Sequence, residues 1–295
     1  MTGQKTGYTR AVQPLAASAT TTDSAGLATG SILIPTADGG IPAFFARPEA
    51  DGPHAVVLVV HEIFGLHEYI RDVCRRLAKS GYFSVAPDLY QRQGDVSQID
   101  DIATIISDVV EKVPDGQVLA DLDATVAWAA SNAHADTGRL GITGFCWGGR
   151  FVWVYAAHHP GIRAGVAWYG RLVGAGPGAL GRIAQGRTYP IDVAGRLNGP
   201  VLGLHGDQDM AIPQATVEQM RAALAAAGDA SELIVYPGAQ HGFHADYRPQ
   251  YHADAAADGW QRLLDWFRHN GVQGDAPVTS PEGPGGGPTR LRNST

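Results

Sequence analysis

Apolar positions along the central part of this chain alternate between two patterns. Short runs of β-branched and aliphatic residues are separated by longer segments in which apolar residues recur every three or four positions, the pattern of a parallel sheet wrapped by helices. Residues 55–60 are apolar without a break, which predicts a strand buried on both faces. Further strands are predicted at 82–86, 140–143, 165–169, 201–204 and 233–236, and an opening antiparallel pair at 31–35 and 42–47 across the Asp38-Gly39-Gly40 turn. Helical stripes are marked by Ile70, Val73, Cys74 and Leu77, then by Ile99, Ile102, Ile106, Val109 and Val113. Others follow at Leu119, Leu122, Val126 and Ala129, and over 253–268 with Trp260, Leu263, Leu264 and Phe267 facing inward. Residues 31–272 are thus expected to form one α/β domain. Residues 1–30 read as an irregular Ala/Thr/Ser-rich arm, and 273–295 as a Gly/Pro-rich tail too poor in apolar side chains to order itself.

Composition narrows the possibilities. With 295 residues, a net charge of −7 and no basic run, the chain lacks the cationic surface that a nucleic-acid partner requires. No segment approaches the roughly 20 apolar residues of a membrane span, and two cysteines cannot form a disulfide framework, so a cytoplasmic protein acting on small molecules is expected. Cys74 falls on a helical core stripe. His241 and His244 lack the accompanying ligands of a recognised metal site, so neither metal nor cofactor is expected.

The candidate chemistry centres on Gly144-Phe145-Cys146-Trp147-Gly148-Gly149, placed between a predicted strand and a predicted helix. That is a nucleophile elbow with cysteine at its apex: a sharp strand-to-helix turn, flanked by glycines, that strains the central residue and exposes its side chain above the sheet. A thiol there needs less activation than a hydroxyl. In an open α/β sheet its partners come from loops beyond later strands. Asp207 and Asp209 follow the strand at 201–204, and His241 follows the strand at 233–236, giving the order nucleophile, acid, histidine. Asp209, at the far end of its turn, is the expected acid; Asp207 is expected to accept backbone N–H bonds within the turn. The segment His61-Glu62-Ile63-Phe64-Gly65 leaves the first buried strand where an oxyanion-hole donor is needed, which points to the N–H groups of Ile63 and Trp147. Glu62 is a carboxylate at an apolar strand end and requires a partner.

These residues, with Pro87-Asp88-Leu89-Tyr90-Gln91-Arg92, Ala167-Trp168-Tyr169-Gly170 and His241-Gly242-Phe243, resemble the dienelactone hydrolases (carboxymethylenebutenolidases) over about residues 30–270. The resemblance implies an α/β-hydrolase fold with a mostly parallel sheet, helices on both faces and no large lid. It implies a Cys146–His241–Asp209 triad that opens lactones or small esters through a thioester, with Glu62 near the resting thiol and taking its proton when substrate binds. It further implies Arg92 as a carboxylate-binding arginine and Tyr169 as a residue at the substrate. Ala245 stands where well-studied members carry a second such arginine, making Arg248 the candidate replacement. The Gly-rich stretch 171–199 lies where a substrate pocket could be reshaped. A broad carboxylesterase or thioesterase using the same residues, a non-catalytic ligand-binding module, and a redox sensor built on the cysteine are the competing readings.

Overall fold

In the computed structural model, residues 12–14, 19–174 and 186–275 are described. The expected tail beyond 275 and residues 175–185 of the Gly-rich stretch lie outside them. Eight strands form one sheet: β1 (Leu27–Thr36), β2 (Gly39–Pro48), β3 (His54–Val60), β4 (Phe83–Pro87), β5 (Ala135–Phe145), β6 (Ile162–Trp168), β7 (Val201–Gly206) and β8 (Glu232–Tyr236). The order across the sheet is β1-β2-β4-β3-β5-β6-β7-β8. The β1–β2 and β2–β4 pairings are antiparallel and the remainder parallel. Every residue of β3 is buried, so helices cover the sheet on both sides there, as the unbroken apolar run requires.

The helices are α1 (Glu68–Lys79), α2 (Ile102–Asp108), α3 (Asp115–Ala130), α4 (Trp147–His158), the single turn α5 (Pro190–Val193), α6 (Gln214–Ala227) and α7 (Ala253–His269). The α1 stripe of Ile70, Val73, Cys74 and Leu77 is wholly buried, and burial pushes the Cys74 thiol up to about 12. Among the described residues no helix is long and apolar enough to cross a membrane.

Two expected element boundaries move. The arm ends at Leu27, because β1 pairs with β2 over ten consecutive residue pairs rather than the five read from hydrophobicity. Its preceding segment packs on α1, with the Thr22 N–H donating to Asp72 and Lys79 paired with Asp23. The helix expected from Ile99 to Val113 is instead α2 followed by a 3-10 turn at Val110–Lys112. The Asp101 side chain caps α2 at its first turn, leaving Ile99 outside, and Pro114 starts α3 immediately afterward. Past α7, Asp275 pairs with the buried His54 and with Arg139.

The chain leaves β3 toward β4 on one side, whereas β5 pairs with β3 on the other. This reversal opens a crevice at the carboxyl ends of β3 and β5, where open α/β sheets hold their ligands.

Candidate active site

Cys146 stands in that crevice between β5 and α4, with φ 53° and ψ −111°. A side-chain-bearing residue held there costs on the order of 1–3 kcal/mol and persists only where surrounding contacts enforce it. The positive φ falls on the cysteine, the central residue of the elbow. The glycines supply clearance instead. A Cβ on Gly148 would sit 2.6 Å from the His61 carbonyl oxygen and closer still to that of Val60, and one on Gly149 would sit 2.7 Å from the Trp168 carbonyl oxygen. Backbone contact this close presses the start of α4 onto the ends of β3 and β6, and the Cys146 N–H donates to Trp168 O at 2.9 Å.

The loops after β7 and β8 bring the other two groups. His241 Nε2 lies 3.1 Å from Cys146 Sγ, and His241 Nδ1 donates to Asp209 Oδ2 at 2.8 Å. The second oxygen of Asp209 accepts the N–H groups of Ala211 and Ile212 at 2.8 and 3.1 Å, which fixes the carboxylate plane. Asp207 accepts the Gly238 N–H and does not reach the histidine. Burial disfavours the imidazolium, but Cys146 and Asp209 outweigh it and raise His241 to about 10. Both neighbours thus favour the protonated ring that results when the thiol gives up its proton.

At the end of β3, His61 acts as a staple. Its Nδ1 donates to Glu62 O at 2.7 Å, its Nε2 accepts the Leu89 N–H at 3.1 Å, and its ring stacks on Trp147. The loop carrying Ile63 is thus tied both to β4 and to the elbow. Trp147 is the first residue of α4, where N–H groups lack intrahelical partners and the helix dipole favours negative charge.

Glu62 is 1% exposed. Burial favours its neutral form, yet His67, Arg248 and Tyr247 together hold its pKa below the usual carboxylate value. Its Oε1 accepts the Tyr247 hydroxyl and lies 3.3 Å from His67 Nε2. The motif reading missed His67 and Tyr247; an unexplained buried glutamate was the available signal that such partners exist.

Beside Cys146 opens a cleft lined by Trp147, Tyr169, Tyr189, Ile212 and His241 among others. Tyr169 lines this cleft: it takes φ 38°, its ring meets His241 edge-on at 5.2 Å, and it follows β6 directly. The structure does not bring Arg92 to this cleft among the described residues. Its guanidinium is gripped by Asp38 of the β1–β2 turn at 2.6 and 2.7 Å and by Asp121 of α3 at 2.8 and 3.0 Å. In that placement two carboxylates already occupy its donors, where the expectation had it facing substrate. Arg248 also lies outside the described lining; it packs over the Phe64 ring and acts electrostatically on Glu62. The arginines that do line the cleft are Arg150 and Arg171, neither singled out from sequence. Arg171 stands just past a strand end, where loops of this architecture carry function, which was the available signal.

Residues 41–271 match the sequence model of the "Dienelactone hydrolase family". A Methylorubrum extorquens relative named "Putative carboxymethylenebutenolidase" is 57% identical over 272 residues, covering 92% of this chain and 91% of its own. An Escherichia coli relative of the same name is 52% identical over 271 residues, with coverage of 92% and 97%. Among solved structures, one described as a "Putative Dienelactone Hydrolase" from Klebsiella pneumoniae is 53% identical and superposes with a TM-score of 0.78, covering 82% of this chain and 98% of that one.

Proposed function

This chain belongs to the dienelactone hydrolase family, and from that premise we propose that it hydrolyses lactones or small esters with Cys146 as nucleophile, His241 as base and Asp209 as the group orienting the imidazole. The observation that carries the reading is the continuous line Sγ–Nε2 at 3.1 Å and Nδ1–Oδ2 at 2.8 Å, built on a strained elbow that faces the cleft.

The Sγ proton passes to His241 Nε2, and the thiolate forms a bond to the carbonyl carbon. The oxyanion is received by the Ile63 and Trp147 N–H groups at the α4 start. Collapse breaks the acyl C–O bond, and the departing oxygen takes the proton from His241, leaving an acyl thioester; in a lactone that oxygen stays tethered to the acyl group. Water then gives a proton to His241 and attacks the thioester, and the second collapse releases the acid and restores the thiol. Glu62, charged and buried beside Ile63, is a second proton acceptor for the thiol once substrate disturbs its contacts with Tyr247 and His67. Every step uses groups of this chain.

The test measures loss of dienelactone absorbance and hydrolysis of a neutral aryl ester by the wild-type protein and by Cys146→Ala. The expected result is turnover of at least one substrate that falls by on the order of 10³-fold or more in the variant, as for removal of other catalytic nucleophiles. Substantial hydrolysis by folded Cys146→Ala would overturn the mechanism. Turnover of the aryl ester without the lactone would instead favour a broad carboxylesterase.

A further inference from the structure

We infer that Arg171, rather than Arg92, is the anion-recognition residue of this site, so that the preferred substrate carries a carboxylate held by the Arg171 guanidinium while its ester carbonyl faces Cys146. This deepens the hydrolase reading and rests on it. Three observations carry it.

First, Arg171 is the cation of the cleft without a carboxylate partner among the described residues. Its hydrogen bond is a long one, from Nη2 to Ala211 O at 3.4 Å. Arg150, the other lining arginine, donates to both oxygens of Asp115 at 2.9 and 2.7 Å and to Thr188 O, so its charge is spent. The same Asp115 also pairs with Arg187 at 3.1 Å. Two arginines thus share one carboxylate on this wall, and Arg171 adds a further positive charge. No Asp or Glu stands among the described lining residues to cancel it.

Second, Arg171 is pre-positioned. The preceding Gly170 packs against the elbow helix so closely that a Cβ there would lie 2.7 Å from the Arg150 N, and one on Gly149 would lie 2.9 Å from Gly170 Cα. Tyr169, with its positive φ, is tied by its N–H to Leu204 O at 2.7 Å. The backbone carrying the cation is therefore fixed to the backbone that carries the nucleophile, and binding has only the Arg171 side chain to order.

Third, the surroundings suit the job. Tyr189 and Ile212 make the neighbouring walls apolar, and in such surroundings a planar guanidinium binds a carboxylate through two parallel hydrogen bonds with little competition from water. Arg92 has no comparable freedom, being chelated by Asp38 and Asp121.

The decisive experiment needs no turnover. Iodoacetate and iodoacetamide alkylate a thiol by the same displacement, with iodide leaving as the S–C bond forms, and differ chiefly in charge. Cys74 is buried in the core, so the rates report on Cys146. The ratio of the iodoacetate rate to the iodoacetamide rate, relative to that of a small free thiol, is measured for the wild type, Arg171→Gln, Arg171→Lys and Arg92→Gln. Expected is a wild-type ratio at least about tenfold above the free-thiol reference and diminished by salt. It should drop about tenfold in Arg171→Gln, recover partly with lysine, and persist in Arg92→Gln. A wild-type ratio equal to the reference overturns the inference even if the variants fold poorly. So does a ratio unaffected by Arg171→Gln, or one lost only in Arg92→Gln. Failure of the hydrolase reading is seen separately, as turnover that survives Cys146→Ala, and leaves the alkylation ratios to decide about Arg171.

Discussion

Replacing Asp209 by asparagine isolates the orienting role of the carboxylate because the change is isosteric and the residue is held from both sides. Oδ1 accepts two backbone N–H groups, from Ala211 and Ile212, while Oδ2 accepts His241 Nδ1–H. An asparagine can keep its oxygen on the two N–H groups and present NH₂ to Nδ1, or it can flip. Flipping turns NH₂ toward two backbone donors, each left unsatisfied at about 1–3 kcal/mol, with no net gain at histidine because either orientation can bond Nδ1. The unflipped arrangement therefore wins by about 2–6 kcal/mol. It makes Nδ1 an acceptor and places the imidazole hydrogen on Nε2, facing Sγ, where the ring can no longer take the thiol proton. Loss of the Asp209 charge acts in the same direction, since that charge helps raise His241. A fall in kcat/KM of roughly thirtyfold to ten-thousandfold is expected with a neutral aryl ester. Asp207→Asn should stay within about threefold, because Asp207 accepts the Gly238 N–H from the loop after β8 and does not reach His241. Near-normal activity in Asp209→Asn, or a larger loss in Asp207→Asn, would refute the assignment and the tautomer reasoning with it.

Gly148→Ala should lower stability by about 1–3 kcal/mol, read as a lower Tm, together with activity, since the added methyl meets the Val60 and His61 carbonyls of a strand paired on both sides and unable to retreat; an unchanged Tm and rate would show the elbow to be looser than this. Burial pushes His205 down to about 4 from its ordinary 6.5, against the pull of Asp209, so the unfolded chain binds a proton that the folded one refuses. Stability from this group is complete above pH 6.5 and is lost as pH falls from 6.5 toward 4, by about 2 kcal/mol at pH 5; the raised His241 works in the opposite direction over the same range, so the check compares urea unfolding of the wild type and His205→Gln, and identical pH dependences in the two would contradict this. His61 and His244 are also lowered by burial and add in the same direction as His205. Tyr247→Phe removes a hydroxyl that lowers the Glu62 pKa, so the acidic limb of the kcat/KM profile should move to higher pH; an unmoved limb would mean that Glu62 does not titrate in the working range.

The order of strands and helices was legible because each element is short-range: an unbroken apolar run such as β3, or the α1 stripe, reports its own burial. Element edges were less legible where pairing or capping decides them, as at Leu27, whose place in β1 comes from β2, and at Ile99, which Asp101 excludes from α2. The line Cys146, Asp209, His241 could be read from order alone because strand ends at one edge of a parallel sheet deliver their loops to one crevice.

Charge partners were a different matter. A motif places Arg92 and Glu62 on particular loops but says nothing about what approaches them from elsewhere. Arg92 is taken by Asp38 and Asp121, 54 and 29 residues away, and Glu62 by Tyr247, 185 residues away. Sequence by itself determined the α/β architecture, the elbow and the chemical identity of the aligned groups, since these follow from local periodicity and from the order of loops at one sheet edge. Tertiary structure alone decided which cations remain available to a ligand and which are already neutralised, because electrostatic pairing depends on distance in space and is blind to separation along the chain.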